Sequence, residues 1–70
     1  MMDTRIRLLL ETKGMTEQDL ATKLELSTGY VERLMTGQRP WPVALVLRVA
    51  KLLEVAPREL DPGLEGLTLN

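Results

Sequence analysis

The chain has 70 residues, no cysteine, no histidine and a formal net charge of -1. This length allows one small domain, near the lower end of what folds unaided. Without cysteine there is neither a disulfide nor a thiolate metal site, and without histidine the commonest general base and zinc ligand are missing. Composition therefore argues against an enzyme, and we expect no cofactor and no metal.

Charge and hydrophobicity are unevenly distributed along the chain. Residues 1–58 carry nine bases and seven acids, whereas residues 59–70 carry three acids and no base. The excess of acid, which is unusual for a nucleic-acid binder, therefore belongs to the end of the chain. Leucine dominates the apolar residues and phenylalanine is absent, which predicts an aliphatic, helical core. No apolar run is as long as a membrane span and no leader pattern is present, so we expect a cytoplasmic protein.

The first two predicted helices lie before residue 25. Apolar residues on one face of the first helix recur at helical spacing from Ile6, Asp3 is its expected N-cap, and Gly14 ends it. The second helix opens with Thr16, and Asp19 three residues later completes a variant of the capping box. Its inner face carries Leu20, Ala21 and Leu24.

The third predicted helix follows a turn of about three residues. Ser27 is its expected N-cap, and Gly37 ends it. One face is apolar, with Val31, Leu34 and Met35. The opposite face is small and polar, and consists of Thr28, Gly29, Glu32, Arg33 and Thr36.

The rest of the chain predicts a long apolar helix and a short turn. Pro40, Trp41 and Pro42 separate the third helix from a fourth over about 42–53, which is apolar almost all round. A fifth turn is expected over 57–60. The prediction is an all-α fold of four to five short helices, with a domain over 1–60 and a short apolar and acidic tail over 61–70.

Two segments carry a family resemblance. Residues 14–21 read Gly-Met-Thr-Glu-Gln-Asp-Leu-Ala, and residues 26–34 read Leu-Ser-Thr-Gly-Tyr-Val-Glu-Arg-Leu. They resemble the entry and recognition helix of the lambda-repressor/Cro-like, or XRE-type, DNA-binding domains. The resemblance covers residues 4–60 and places a helix-turn-helix motif at about 17–36.

The resemblance implies a DNA-binding surface on double-stranded DNA. The recognition helix of this family lies in the major groove, so the residues expected to face bases are Thr28, Gly29 and Arg33. The residues expected to hold phosphates at the starts of the second and third helices are Thr16, Gln18 and Ser27. Those expected to hold a phosphate after the third helix are Thr36, Gln38 and Arg39.

Each of these residues also has a structural interpretation. Arg33 is equally typical of a solvated helix face, and Ser27 caps its helix whether or not DNA is bound. Gly29 costs a helix about 1 kcal/mol relative to alanine, so it is either accidental or marks a close approach. Trp41 either covers the fourth helix or contacts a partner.

The sequence also departs from the family pattern at three places. Glu17 stands where the family usually has glutamine against a phosphate, and Glu25 stands at a turn position usually taken by glycine. We expect Glu25 to be left-handed, at a cost of about 1 kcal/mol. Leu10 and Met35 replace an ion pair that some members have between the first and third helices.

A second surface is predicted on the fourth helix and the tail. Leu45, Val49 and Leu52 are expected to form an apolar ridge, and three further leucines follow it in the tail, Leu64, Leu67 and Leu69. Either the tail folds over the same chain, or two chains pair through these residues. A homodimer would place two recognition helices about one DNA turn apart, ~34 Å, on a palindromic operator.

Two functions follow from these expectations. The first is a sequence-specific, dimeric DNA-binding transcriptional regulator, either a repressor or a controller. The alternative is a protein–protein interaction module, antitoxin-like or regulator-binding, with the same fold and weak or no DNA binding. Glu17, the few lysines and a pI near 5.3 favour the alternative.

Overall fold

The computed structural model describes residues 2–64. In that span five α-helices follow one another: α1 (Met2–Thr12), α2 (Glu17–Leu24), α3 (Thr28–Met35), α4 (Val43–Leu53) and α5 (Pro57–Leu60). A 3₁₀ turn over Pro62–Leu64 follows α5, and residues 2–64 contain no strand. The predicted all-α fold is therefore confirmed, and the helix bounds agree with the sequence to within one residue for α3, α4 and α5.

Local capping explains where α2 and α3 begin. The Asp19 amide donates to Thr16 Oγ1 at 3.1 Å, and the Thr16 amide donates to Asp19 Oδ2 at 2.9 Å, so the predicted capping box is confirmed. The Tyr30 amide donates to Ser27 Oγ at 3.1 Å, which confirms the second cap. The expectation that Asp3 caps α1 is wrong, because the helical backbone already includes Met2.

Left-handed residues end four of the helices. They are Gly14, Glu25, Gly37 and Glu54, with φ between 59° and 82°. In each case the next amide donates back across the last turn, as from Leu26 to the Ala21 carbonyl at 2.9 Å. This bond is typical of the Schellman ending. The prediction for Glu25 is confirmed, and Glu54 repeats the same geometry.

The helices pack around one aliphatic core. Its fully buried side chains come from all five helices, and its largest are Ile6, Leu20, Leu34, Met35, Leu53 and Leu60. No polar or charged side chain in the described residues is buried. Leu10 and Met35 both lie in this core, where α1 packs against α3. Trp41 also packs against the core, and its buried indole Nε1 has no hydrogen-bond partner among the described residues.

The prediction of an exposed apolar ridge on α4 is wrong for two of its three residues, which are buried. Val49 is 0% exposed and Leu45 is 7% exposed, so both belong to the core of a single chain. Only Leu52 of the three is partly exposed. The side chains of Leu64, Leu67 and Leu69 lie outside the described part of the structure, so their expected role in pairing two chains stays a prediction.

One long side chain fixes the helix-turn-helix unit on the rest of the fold. Arg48 extends from α4, and its Nη2 donates to the Leu24 carbonyl at 2.9 Å. That carbonyl is in the last turn of α2, where the helix dipole favours a cation. The guanidinium therefore anchors the end of α2, and with it the turn that leads into α3, against the central helix.

Candidate nucleic-acid interface

The outer face of α3 is exposed along its whole length. Thr28, Gly29, Glu32 and Arg33 are all exposed, while the opposite face of the helix is buried in the core. Arg33 extends back toward the start of the helix, where its Nη1 lies 3.7 Å from the position that a Cβ would take on Gly29. The absence of a side chain on Gly29 therefore leaves a shallow gap beside the guanidinium. The predicted base-facing residues lie together on one surface.

The N-termini of α2 and α3 each have amides without an intrahelical acceptor. The caps use the amides of Asp19 and Tyr30, and the first two amides of each helix have no intrahelical acceptor. In α2 these are the amides of Glu17 and Gln18, and in α3 they belong to Thr28 and Gly29. Such amides, at the positive end of the helix dipole, are suited to bind an anion.

Glu17 forms an ion pair that joins α2 to α1. Arg7 Nη1 lies 3.7 Å from Glu17 Oε2, and both side chains are partly exposed, at 52% and 33%. The contact draws the carboxylate toward α1 and partly compensates its charge. The acid at this position therefore lies beside a base, a feature that helical spacing within α2 alone did not predict.

In the segment after α3, side chains rather than backbone amides are available to bind a phosphate. The amides of Gly37, Gln38 and Arg39 donate to carbonyls in the last turns of α3, at 3.3, 2.9 and 3.2 Å. The Thr36 hydroxyl donates to the Arg33 carbonyl at 3.3 Å. The expectation that Thr36 helps to hold a phosphate stays a prediction. The side chains of Gln38 and Arg39 are exposed and remain available.

The carboxylate of Asp19 is the titratable group that the local structure perturbs. The Thr16 backbone amide donates to it, the Thr16 hydroxyl adds a side-chain hydrogen bond, and Lys23 contributes a favourable charge. Together these lower the pKa of Asp19 below its ordinary value. The capping box is thus ionised at neutral pH, and the unpaired amides of α2 remain next to it.

No group of acidic residues in the described part of the chain is arranged to hold a metal ion. None of the helices between residues 2 and 64 is long and apolar enough to cross a membrane.

A capped helix, a turn of three residues and a second helix with an exposed polar face define a helix-turn-helix protein. The comparison with protein families agrees, since the model of the helix-turn-helix domain matches residues 4–62. The chain therefore belongs to the helix-turn-helix domain family, and this match is consistent with the lambda-repressor/Cro-like resemblance. No curated protein and no solved structure matches the chain significantly. Helix-turn-helix domains are DNA-binding modules, in which the second helix of the motif reads the major groove.

Proposed function

We propose that the chain is a sequence-specific DNA-binding transcriptional regulator. The observation that carries the proposal is the exposed polar face of α3, with Thr28, Gly29 and Arg33 side by side at the N-terminal part of the helix. An α-helix fits the major groove, where every base pair presents a distinct pattern of donors and acceptors. We expect this protein to work in the cytoplasm with its DNA.

Arg33 is the residue proposed to discriminate between bases. A guanidinium donates two parallel hydrogen bonds to O6 and N7 of guanine, and a good bidentate pair discriminates by about 1–3 kcal/mol. The gap at Gly29 lets the helix backbone approach the base edges closely while Arg33 extends beside it. Thr28 is proposed to donate to a base or to contact a thymine methyl group.

Phosphates are proposed to bind at both helix starts and after α3. Gln18 and Ser27 lie at the helix starts, and the exposed Arg39 lies past the end of α3. Glu17 opposes this binding electrostatically, but its contact with Arg7 reduces the repulsion. We therefore infer modest affinity that falls steeply with salt, by about 0.9 log units per tenfold change in salt for each neutralised phosphate.

We propose that two chains pair as a homodimer and that the dimer therefore binds a palindromic operator. One recognition helix covers only a half-site, and pairing of two chains would double the contacts. The surface proposed for pairing is Leu52 with the three leucines Leu64, Leu67 and Leu69. Because Val49 is fully buried within one chain, the interface would involve the C-terminal part of α4 and the residues after α5 rather than the middle of α4.

The second candidate function is a protein-interaction module with little DNA affinity. It rests on the acid at position 17 and the net charge of -1. A repressor role and the protein-partner role make opposite predictions for DNA at low salt. The repressor must enrich particular duplexes there, whereas the interaction module enriches none.

The experiment that tests the proposal is selection of random duplexes by the purified protein, followed by binding of variants to the enriched sequence. Arg33→Ala should reduce discrimination between the selected duplex and single-base changes in it. Arg39→Ala should weaken binding to all duplexes alike. Arg58→Ala, at an exposed position on α5, is the control and should change neither. Recovery of no preferred sequence at low salt would contradict the proposal.

A further inference from the structure

A groove between α2 and α4 is not part of the proposed DNA-binding surface. It has a volume of about 520 Å³, is open to solvent, and is lined by Lys23, Leu24, Arg48, Lys51 and Leu52. The proposed DNA-binding residues are at the starts of α2 and α3 and after α3. Lys23 is six residues beyond Glu17, which places it ~9 Å further along α2.

The groove concentrates positive charge in a chain that is acidic overall. Lys23, Arg48 and Lys51 are three of its nine bases. Among the described residues, no carboxylate lies within 4 Å of the charged nitrogens of these three side chains. The Arg48 guanidinium donates from Nη2 to the Leu24 carbonyl, which fixes its position, and its other donors remain for a ligand. The groove therefore presents three cations in a partly rigid arrangement.

Aliphatic surface accompanies these charges. Leu52 is partly exposed and packs against the core, and Leu24 lies at its side. The methylene stems of the lysines extend this apolar surface while their ammonium groups stay in water. A phosphate backbone would pair with the cations but leave the leucine surface uncovered. An acidic protein segment with an aliphatic side chain would satisfy both parts.

We propose that this groove binds an acidic segment of a partner protein, with carboxylates against Lys23, Arg48 and Lys51 and an aliphatic side chain against Leu52. The site goes beyond the DNA-binding function and does not depend on it. A partner bound there would occupy a surface separate from α3. Because Leu52 also belongs to the proposed dimer interface, a chain with an acidic partner in the groove would keep α3 free for DNA but would not pair with a second copy through Leu52.

The test uses fluorescence anisotropy of a labelled synthetic peptide that repeats Leu-Glu-Glu-Leu. Two comparison peptides carry serine for each leucine or glutamine for each glutamate. The wild-type chain should bind the first peptide at least about tenfold more tightly than either comparison, a difference of about 1.4 kcal/mol. Equal binding of the serine peptide would overturn the proposal, because the leucine surface would then contribute nothing. Absence of binding at low salt would overturn it as well.

Charge-reversal variants locate the site. Lys51→Glu should weaken peptide binding at least about tenfold, whereas Lys13→Glu, at an exposed position after α1, should have little effect. Equal loss in the two variants would mean nonspecific attraction and would overturn the proposal. Circular dichroism checks that both variants fold. If Lys51→Glu weakens duplex binding more than Lys13→Glu does, and the duplex displaces the peptide, the groove is a phosphate site and the proposal is wrong.

Discussion

The substitution Gly29→Ala separates the stability of α3 from its proposed fit to DNA. Gly29 lies in the first turn of the helix, on the exposed face. A Cβ there would meet only Arg33 Nη1, at 3.7 Å, which is an ordinary van der Waals contact with a flexible side chain. Alanine therefore fits without displacing anything, and it removes the entropic penalty of glycine in a helix. We expect the free energy of unfolding to rise by about 0.5–1 kcal/mol.

The same methyl group should weaken DNA binding. In the proposed complex the backbone at Gly29 approaches the base edges, and the added carbon fills the gap beside the Arg33 guanidinium. The variant should therefore be more stable and yet bind its selected duplex less tightly. These opposite signs are informative because a substitution that damages folding lowers both quantities together.

Thermal unfolding followed by circular dichroism measures the first effect. For a domain of this size, 1 kcal/mol corresponds to roughly 4–8 °C in Tm. Anisotropy of a labelled duplex measures the second. Thr22→Ala, at an exposed position of α2, is the control, because it also raises helix propensity but is not among the residues proposed to contact DNA. Unchanged duplex affinity in Gly29→Ala would refute the proposed close approach, and reduced stability would refute the geometry of α3.

Three further predictions concern the contacts around the helix-turn-helix unit. Arg48→Met should lower the free energy of unfolding by about 1–2 kcal/mol, because the Leu24 carbonyl loses its charged donor, and chemical denaturation measures this. Asp19→Asn should destabilise the protein at neutral pH but less so in acid. The folded-state pKa of Asp19 is lowered by its bonds with Thr16, so its contribution is present above the unfolded-state pKa and is lost as the pH falls below about 4, which unfolding curves at several pH values measure. Glu17→Gln should raise affinity for all duplexes severalfold at low salt, since two charges ~4 Å apart in water interact by about 1 kcal/mol.

Each of these predictions has an outcome that contradicts it. Equal stability of Arg48→Met and the parent chain would mean that the bond to Leu24 contributes nothing in water. A constant difference between Asp19→Asn and the parent at every pH would exclude an ionised capping box as the cause. If Glu17→Gln leaves duplex affinity unchanged at low salt, the start of α2 does not face a phosphate.

The starts of α2 and α3 and the ends of α1 and α3 followed from local chemistry and were therefore readable in the sequence. Thr16 and Ser27 cap their helices through bonds that reach only three residues along the chain. Gly37 ends α3 because a left-handed residue lets the next amide return to the last turn. The left-handed Glu25 was predictable for a different reason, since the turn of the family requires that geometry whatever residue occupies it.

The tertiary structure decided which residues meet across the chain. The pairing of Arg7 with Glu17 and the bond from Arg48 to Leu24 join separate helices, and no periodicity within one helix encodes such contacts. The burial of Val49 was also decided there. A helix that is apolar all round does not reveal by its own pattern which side the other helices cover, because each face is equally able to be buried. The sequence by itself determined the helix-turn-helix unit and its exposed polar face, whereas packing determined the partner of Glu17 and the surface that α4 leaves in contact with water.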